Sequence, residues 1–339
     1  MIRKVLHIDS GFDFEAGGHV GSADLVYYTS ARERRPDDKV VWVCHALTGN
    51  ADPTDWWKDL FGPGLLFDPD RYFVVCAAMI GSAYGEFGPT TINPETGKPY
   101  LLDFPATTVR DIVSANILVR KHLGIEKIDI LLGPSIGGYQ AAEWLVMEPD
   151  VISKAALIAM GFRVTPFLTA FNESQRMAIE ADPTFFEAKS VEGGLEGLKC
   201  ARSIALISYR TPAGYDLSQQ DPDEDTLFAS RSCTYQRHQG DKFVARQFDA
   251  YSYWYLSKSL DSMNLGRGRG GVVKALSSIK AEVILVSITS DQLFSTENLK
   301  MAAEAIPNSS YHEIQSIFGH DGFLIEKDQL ISILEPLTK

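Results

Sequence analysis

One serine of this chain lies in a motif that can perform nucleophilic chemistry. Ser135 is the central residue of Gly133-Pro134-Ser135-Ile136-Gly137, which fits the pattern G-x-S-x-G. The motif follows the apolar run at 128–133 and opens a helical pattern at 137–147, which is the strand–turn–helix setting that exposes a serine hydroxyl above a sheet. Glycines suit such a turn because a side chain would collide with the crossing backbone. Taken alone, the motif also fits a glycine-rich turn that carries a solvent-exposed serine.

An aspartate and a histidine follow this serine in the order that the chemistry requires. A hydroxyl is a weak nucleophile and needs an adjacent base, and this architecture orders the chain as serine, acid, histidine. Asp291 follows the apolar run at 281–288, and His320 lies in FGHDGF after the strand-like run at 310–314. Either residue alone fits an ordinary turn or surface loop. Their joint order predicts that Ser135 is the nucleophile, His320 the base and Asp291 the residue that orients the base.

The segment HALTGN at 45–50 is the predicted oxyanion loop. It follows the strand-like run at 39–44, and the second donor of an oxyanion hole comes from the loop after that strand in this architecture. We expect the backbone N–H groups of Leu47 and Ile136 to be the two donors. An ordinary exit from a strand remains the alternative, with His45 anchoring the loop.

The elements around these residues alternate in type. Strand-like runs lie at 39–44, 72–78, 128–133, 152–160, 281–288 and 310–314, and helical patterns lie at 106–122, 137–147, 296–305 and 328–334. Alternation of this kind predicts a mostly parallel central sheet flanked by helices. Together with the order of the three catalytic candidates, it predicts an α/β-hydrolase fold.

Residues 163–273 interrupt the alternation, and we call this segment the lid. It has helical patterns near 166–182 and 248–263 and a polar stretch at 211–226. We therefore expect three parts: a first core part at 1–162, an inserted helical lid at 163–273 and a second core part at 274–339. GRGRGG at 266–271 matches no nucleotide-binding fingerprint, so we interpret it as a hinge between lid and core.

Composition excludes several classes of function. The 339 residues carry a formal net charge of -12, which disfavours nucleic acid and anionic membranes as partners. The four cysteines form no CxxC pair, which disfavours a zinc or redox site, and we expect neither a metal nor a bound cofactor. With neither a signal-peptide pattern nor a membrane-length apolar run, we expect a cytoplasmic protein.

Several segments together resemble the homoserine O-acetyltransferases. The matching segments are HALTG at 45–49, GPTTINPETGKPYLLDFP at 88–105, VRDIV at 109–113, LGIEKI at 123–128, SIGGYQAAEW at 135–144, FNESQRMAI at 171–179, AR at 201–202, FDAYSYWYLSKSLD at 248–261, SDQLF at 290–294 and FGHDGFL at 318–324. They cover most of the chain.

The resemblance implies a substrate pair and three further site residues. It implies acetyl-CoA as co-substrate, an acyl-serine intermediate, ping-pong transfer to the hydroxyl of L-homoserine, and a homodimer built through the lid helices. Arg202 matches the family arginine that binds the amino acid carboxylate, Tyr209 a tyrosine near the same group, and Asp321 the acid that receives the ammonium. These pairings are physically reasonable, because a guanidinium binds a carboxylate bidentately.

The chain also departs from the family pattern. It has Pro134 and Ile136 on either side of the serine, and Glu86 where a serine or threonine is expected. These differences leave the donor open between acetyl- and succinyl-CoA, and the acceptor open between homoserine, serine and another alcohol. An esterase or deacylase with the same three residues, in which water accepts the acyl group, is the alternative enzyme. A catalytically silent binding protein is a third possibility.

Overall fold

The computed structural model describes residues 1–228 and 230–339. Twelve strands run, in chain order, β1 (Ile2–Ile8), β2 (Phe12–Asp13), β3 (His19–Val20), β4 (Ala23–Thr29), β5 (Lys39–Val43), β6 (Tyr72–Ala77), β7 (Ile92–Asn93), β8 (Lys98–Pro99), β9 (Ile128–Pro134), β10 (Ile152–Ile158), β11 (Glu282–Ile288) and β12 (Ser309–Ile314). Eight of these strands form one sheet, and the two other pairs are small hairpins.

The helices follow the same order along the chain. They are α1 (Pro53–Trp56), α2 (Val109–His122), α3 (Ile136–Met147), α4 (Pro166–Glu180), α5 (Pro183–Glu187), α6 (Leu195–Tyr209), α7 (Pro212–Gln219), α8 (Arg231–Ala245), α9 (Ala250–Asp261), α10 (Val272–Leu276), α11 (Thr296–Ala305), α12 (Gly322–Ile325) and α13 (Lys327–Leu334). Short 3-10 turns lie at 101–103, 319–321 and 335–338. No helix in the described part of the chain is both long and apolar enough to cross a membrane.

The central sheet confirms the predicted fold class. Its strand order is β1-β4-β6-β5-β9-β10-β11-β12. The pairs from β6 to β12 are all parallel, and β4 pairs antiparallel with both β1 and β6. Alternate residues of β5 pack into two separate apolar clusters, Trp42 into one and Val41 and Val43 into the other. The strand is therefore buried on both faces, which explains why it is almost wholly apolar.

Two N-terminal strands extend the sheet beyond the predicted six. β1 pairs with β4 over its whole length, from Ile2 with Thr29 to Ile8 with Ala23. Its exposure alternates along the strand, as expected for an edge strand with one solvated face. The sequence IRKVLHI does not alternate strictly between apolar and polar residues, because Lys4 and Val5 break the pattern, so it gave no clear strand signal.

The helices between β10 and β11 occupy the segment predicted as the lid. Helix α4 packs on α6, α6 on α8, and α9 on both α4 and α6. The polar stretch at 211–226 contains a helix, α7, that was not predicted from the sequence. In α7, the Thr211 side chain accepts from the N–H of Gly214, and Pro212 occupies the first turn, both of which favour helix initiation. The division at 163 and 273 stays a prediction.

Candidate active site

Ser135 lies on a strained turn between β9 and α3. Its φ of 57° and ψ of -126° fall outside the regions that most side chains adopt, so the surrounding packing must hold it there. A Cβ on Gly133 would lie 2.2 Å from the carbonyl oxygen of Gly137, and a Cβ on Gly137 would lie 2.1 Å from that of Cys44. A side chain at either glycine would therefore collide with the crossing backbone, as the sequence motif predicts.

The three predicted catalytic residues meet in space. The Nε2 of His320 lies 2.9 Å from the Oγ of Ser135, and its Nδ1 lies 2.7 Å from the Oδ2 of Asp291. The other oxygen of Asp291 accepts from the N–H groups of Leu293 and Phe294, at 2.8 and 3.2 Å. These bonds fix the carboxylate, which in turn orients the imidazole with Nε2 toward the serine. This is the geometry of an activated nucleophile.

Burial and charge act in opposite directions on the pKa of His320. Burial lowers it, whereas the facing carboxylates of Asp291 and, more weakly, Asp321 raise it, and the net shift is upward. The ring packs against Phe294 and Phe323, with centroids 5.2 and 5.5 Å away. A base of raised pKa that is confined by aromatic rings is suited to carry a proton between two oxygen or sulfur atoms.

The loop after β5 packs directly onto the start of α3. The side chain of Gln140 donates to the carbonyl of His45, and the His45 ring accepts at Nε2 from the N–H of Met79. Burial lowers the pKa of His45 to about 4, so the ring is neutral and anchors the loop. Leu47 lines the same cleft as Ser135. Within the described residues, no other backbone group accepts from the N–H of Leu47 or Ile136, so both donors are free.

Arg202 contributes an unpaired cation to the cleft. It lies on α6 and lines the cleft with Ser135, Tyr209 and His320. Its Nε and Nη1 are buried and have no hydrogen-bond partner among the described residues. Its guanidinium lies 4.9 Å from the ring centroid of Phe243 and 5.8 Å from that of Tyr209. Buried donors without partners are costly, so these two groups are available to bind an anion.

Asp321 lines the cleft but already has a partner. Its Oδ2 accepts from the Nε of Arg210 at 3.1 Å. Arg210 directly follows Tyr209, whose ring lies 5.8 Å from that of His320. The structure thus brings all three substrate-binding candidates, Arg202, Tyr209 and Asp321, to the cleft of Ser135. The pairing of Asp321 was not foreseen, and it leaves only Oδ1 of that carboxylate free for a ligand.

Two further residues of the cleft were not predicted from the sequence. Trp56, at the end of α1, and Arg246, just after α8, both line the cleft. Arg246 precedes the family segment at 248–261 by two residues. Its position next to a matching segment was the available signal, but an arginine at a helix end is common on any protein surface.

The arginines of GRGRGG have a structural role. Arg269 pairs with Glu143, and Arg267 pairs with Glu15 at 2.7 Å. The loop is therefore held to the core by ion pairs, and its interpretation as a hinge between lid and core stays a prediction. Arg110 bridges both carboxylates, at 3.0 Å from Glu15 and 2.8 Å from Glu143. Both loop arginines therefore already have acidic partners within the protein.

Comparison with known proteins identifies the family. A family model described as alpha/beta hydrolase fold matches residues 39–326. The homoserine O-acetyltransferase of Cyclobacterium marinum is 42% identical over 335 residues, which cover 99% of this chain and 95% of the relative.

Solved structures match the whole fold. The crystal structure of homoserine O-acetyltransferase from Bacillus anthracis covers 100% of this chain and 97% of its own with a TM-score of 0.90, at 21% identity. The crystal structure of esterase E22 covers 100% of both chains with a TM-score of 0.87, also at 21% identity. At such identities the likeness concerns the fold. The sequence identity to curated relatives carries the family assignment: this chain is an enzyme of the homoserine O-acetyltransferase family, built on the α/β-hydrolase fold.

Proposed function

We propose that this enzyme transfers an acetyl group from acetyl-CoA to the hydroxyl of L-homoserine by a ping-pong mechanism. The observation that supports it best is the presence of two elements in one cleft. One is the hydrogen-bonded set of Ser135, His320 and Asp291, which can form an acyl-serine. The other is the unpaired guanidinium of Arg202, which suits the carboxylate of an amino acid acceptor.

In the first half-reaction, the Oγ of Ser135 attacks the thioester carbonyl while the Nε2 of His320 takes its proton. The N–H groups of Leu47 and Ile136 stabilise the oxyanion, as preorganised donors do. Collapse of the intermediate breaks the C–S bond, and His320 returns the proton to the departing thiolate of coenzyme A. Asp291 stabilises the imidazolium between these steps.

In the second half-reaction, the homoserine hydroxyl attacks the acyl-serine. His320 takes the hydroxyl proton and returns it to the Oγ of Ser135, which leaves as the ester forms. Arg202 holds the substrate carboxylate near Tyr209, and the free Oδ1 of Asp321 receives the ammonium. Because the Oδ2 of Asp321 is held by Arg210, the carboxylate is fixed before the substrate arrives, which favours orientation of the acceptor.

We propose further that the enzyme works as a homodimer in the cytoplasm, with the lid helices at the interface. Large apolar side chains are exposed on these helices and the segment between them, and they include Met177, Phe186, Ile207, Leu217, Leu227 and Phe228. Exposed apolar groups of this size are typical of surfaces that another protein covers.

The test is release of free thiol from acetyl-CoA by the purified enzyme, with and without L-homoserine. We expect one equivalent of thiol per active site with acetyl-CoA alone and continuous release only with homoserine, and we expect the continuous rate to fall by about 10⁴-fold or more in Ser135→Ala. Mass spectrometry of the enzyme with acetyl-CoA alone should find one added acetyl group, absent from the mutant. Parallel assays with succinyl-CoA and with L-serine test the donor and the acceptor. Continued release well beyond one equivalent of thiol per active site without an acceptor would contradict the proposal.

That last outcome would support the second candidate, an esterase or deacylase. The observation that favours it is the fold shared with esterase E22 over both whole chains, which means that the fold alone does not separate the two reactions. A simple acetyl ester hydrolysed faster than acetyl groups reach homoserine would establish it.

A further inference from the structure

The cleft has the opposite charge from the protein as a whole. The chain carries a formal net charge of -12. Yet the charged residues that line the cleft are Arg202, Arg246 and Asp321, and Asp321 is already paired with Arg210. The cleft therefore has an excess of positive charge. Such local fields concentrate anionic ligands even on an acidic protein.

An aromatic cluster lies next to Arg202 in space and next to Arg246 along the chain. The Phe243 ring, over which Arg202 lies, is stacked on Phe248 with centroids 4.7 Å apart. Phe248 in turn packs edge-on against Tyr84 at 5.4 Å. Arg246 lies between Phe243 and Phe248 in the chain, and its side chain is exposed at the cleft.

Tyr84 lies near both arginines. Burial raises the pKa of Tyr84, while the nearby charges of Arg246 and Arg202 act in the opposite direction. Its hydroxyl is buried with no hydrogen-bond partner among the described residues. Tyr84 does not line the cleft, so it marks the proximity of the two arginines and is not itself assigned to the ligand.

The acceptor does not account for both arginines. L-homoserine carries one carboxylate and one ammonium, and the proposed function assigns them to Arg202 and Asp321. Within the described chain, Arg246 forms an ion pair with no acidic side chain. The other substrate, an acyl-CoA, is strongly anionic. We propose that Arg246 binds an anionic group of the acyl donor, either a phosphate of coenzyme A or the terminal carboxylate of a dicarboxylic acyl group. This inference rests on the proposed function.

A purely structural role makes a different prediction. Arg246 is the C-cap residue of α8, where a cation stabilises the helix dipole. If that were its whole role, Arg246→Gln would lower the melting temperature slightly and leave donor affinity unchanged. Arg237→Gln is the matched control, because Arg237 is an exposed arginine on the same helix and does not line the cleft.

The deciding experiment is calorimetric titration of coenzyme A and of pantetheine, which lacks the phosphates, into the wild-type enzyme and both variants. If the contact is to a phosphate, we expect Arg246→Gln to weaken the binding of coenzyme A by about tenfold at low salt and to leave the affinity for pantetheine unchanged. The affinity of this variant for coenzyme A should also depend much less on salt concentration. Arg237→Gln should behave as wild type. Equal weakening of both ligands would overturn the inference, because the lost contact would then not be to an anion.

A second arm tests the acyl carboxylate as the source of the charge. If coenzyme A affinity is unchanged in Arg246→Gln, the ratio of kcat/KM for succinyl-CoA to that for acetyl-CoA should fall by about tenfold. If neither quantity changes, or if only the KM for homoserine rises, the inference is wrong. Failure of the proposed function is distinguishable, because a wild-type enzyme that does not acylate homoserine yet binds coenzyme A through Arg246 would refute the acceptor and support the donor contact.

Discussion

Two groups of arginines in this molecule differ in what surrounds them. In the first group, Arg110 and Arg269 both contact Glu143, and Arg267 and Arg110 both contact Glu15. The side chain of Glu143 is only 2% exposed. Each charge in this group faces an opposite charge, so the cost of burial is offset within the protein.

In the second group, Arg202 and Arg246 line the cleft, and neither has an acidic partner in the described chain. Both groups include the same residue type at similar depth, so composition does not distinguish them. The difference lies in whether the protein itself completes the charge pair. An arginine whose partner is missing from the fold is a candidate to meet that partner on a ligand, whereas a completed pair stabilises the fold.

Arg202→Ala should give the largest effect of the comparison, and the effect should be on activity. Loss of a charge-assisted, bidentate contact to the acceptor carboxylate is expected to lower kcat/KM for homoserine by about 10²-fold or more. The free energy of unfolding should change by less than about 1 kcal/mol, because no protein partner is left behind. Steady-state kinetics and urea denaturation measure the two quantities.

Arg202→Lys is the control for geometry. It keeps the charge but lacks the planar fork, so we expect only partial recovery. A variant Arg202→Ala that unfolds much more easily while retaining its kcat/KM for homoserine would place Arg202 in the structural group and break the comparison.

Glu143→Gln should have the converse effect. It leaves the guanidinium groups of Arg110 and Arg269 without their shared carboxylate, and removal of one member of a buried pair costs about 3 kcal/mol. Kinetic constants of the folded enzyme should remain within about twofold, since Glu143 does not line the cleft. Urea denaturation with parallel kinetics checks both.

Glu15→Gln is the matched variant in the same network. The side chain of Glu15 is 25% exposed, so solvent compensates part of the loss and the destabilisation should be about 1 kcal/mol or less. If Glu143→Gln instead abolished acyl transfer at full stability, the arginine loop at 266–271 would belong to the active site.

The elements of the core could be predicted because each has a local signal. Buried parallel strands such as β5 and β9 are continuous apolar runs, and the turn at Ser135 requires glycines that the sequence displays. The positions of Asp291 and His320 followed from strand order alone. The alternating edge strand β1 and the helix α7 were missed, because their local patterns are short and their stability comes from neighbours far along the chain.

The electrostatic pairing of the site could not be predicted from the sequence. Nothing local separates Arg202, which is unpaired, from Arg269, which is paired with a glutamate 126 residues away. The contact of Arg210 with Asp321 spans 111 residues. Long-range pairs of this kind depend on how helices pack against the sheet, and only the family resemblance singled out Arg202 in advance.

Glu86 is a buried acid that, like Arg202, lacks a partner for part of its polar group. It is 6% exposed, one of its carboxyl oxygens has no partner among the described residues, and burial raises its pKa to about 8. Because the ordinary pKa is 4.5, the folded state holds a proton that the unfolded state releases between these values. Wild-type stability is therefore expected to fall as pH rises from about 4.5 to about 8.

Glu86→Gln removes that pH dependence. Relative to wild type, the free energy of unfolding of the variant should rise by about 3.5 kcal/mol between pH 5 and pH 8, because glutamine needs no proton to remain neutral. Glu95→Gln, at an exposed position in the turn between β7 and β8, should follow wild type. The measurement is urea denaturation at several pH values, and parallel curves for wild type and Glu86→Gln would mean that Glu86 is ionised in the fold.

The smallest expected effect is a shift in the pH dependence of acylation caused by the ion pair of Arg210 and Asp321, which lies beside the catalytic base. His320 must be neutral to accept a proton, so acylation should decline as pH falls through its pKa, which is raised above 6.5 by Asp291 and Asp321 against the lowering effect of burial. Asp321→Asn should move this acid limb to lower pH. Arg210→Gln should move it to higher pH, because Asp321 then loses the cation that offsets its charge. Stopped-flow thiol release with acetyl-CoA alone isolates acylation from homoserine binding. Shifts of the same sign in both variants would mean that the pair acts on the loop of His320 through its conformation, whereas opposite signs would establish that a charge pair completed within the protein sets the pKa of the base.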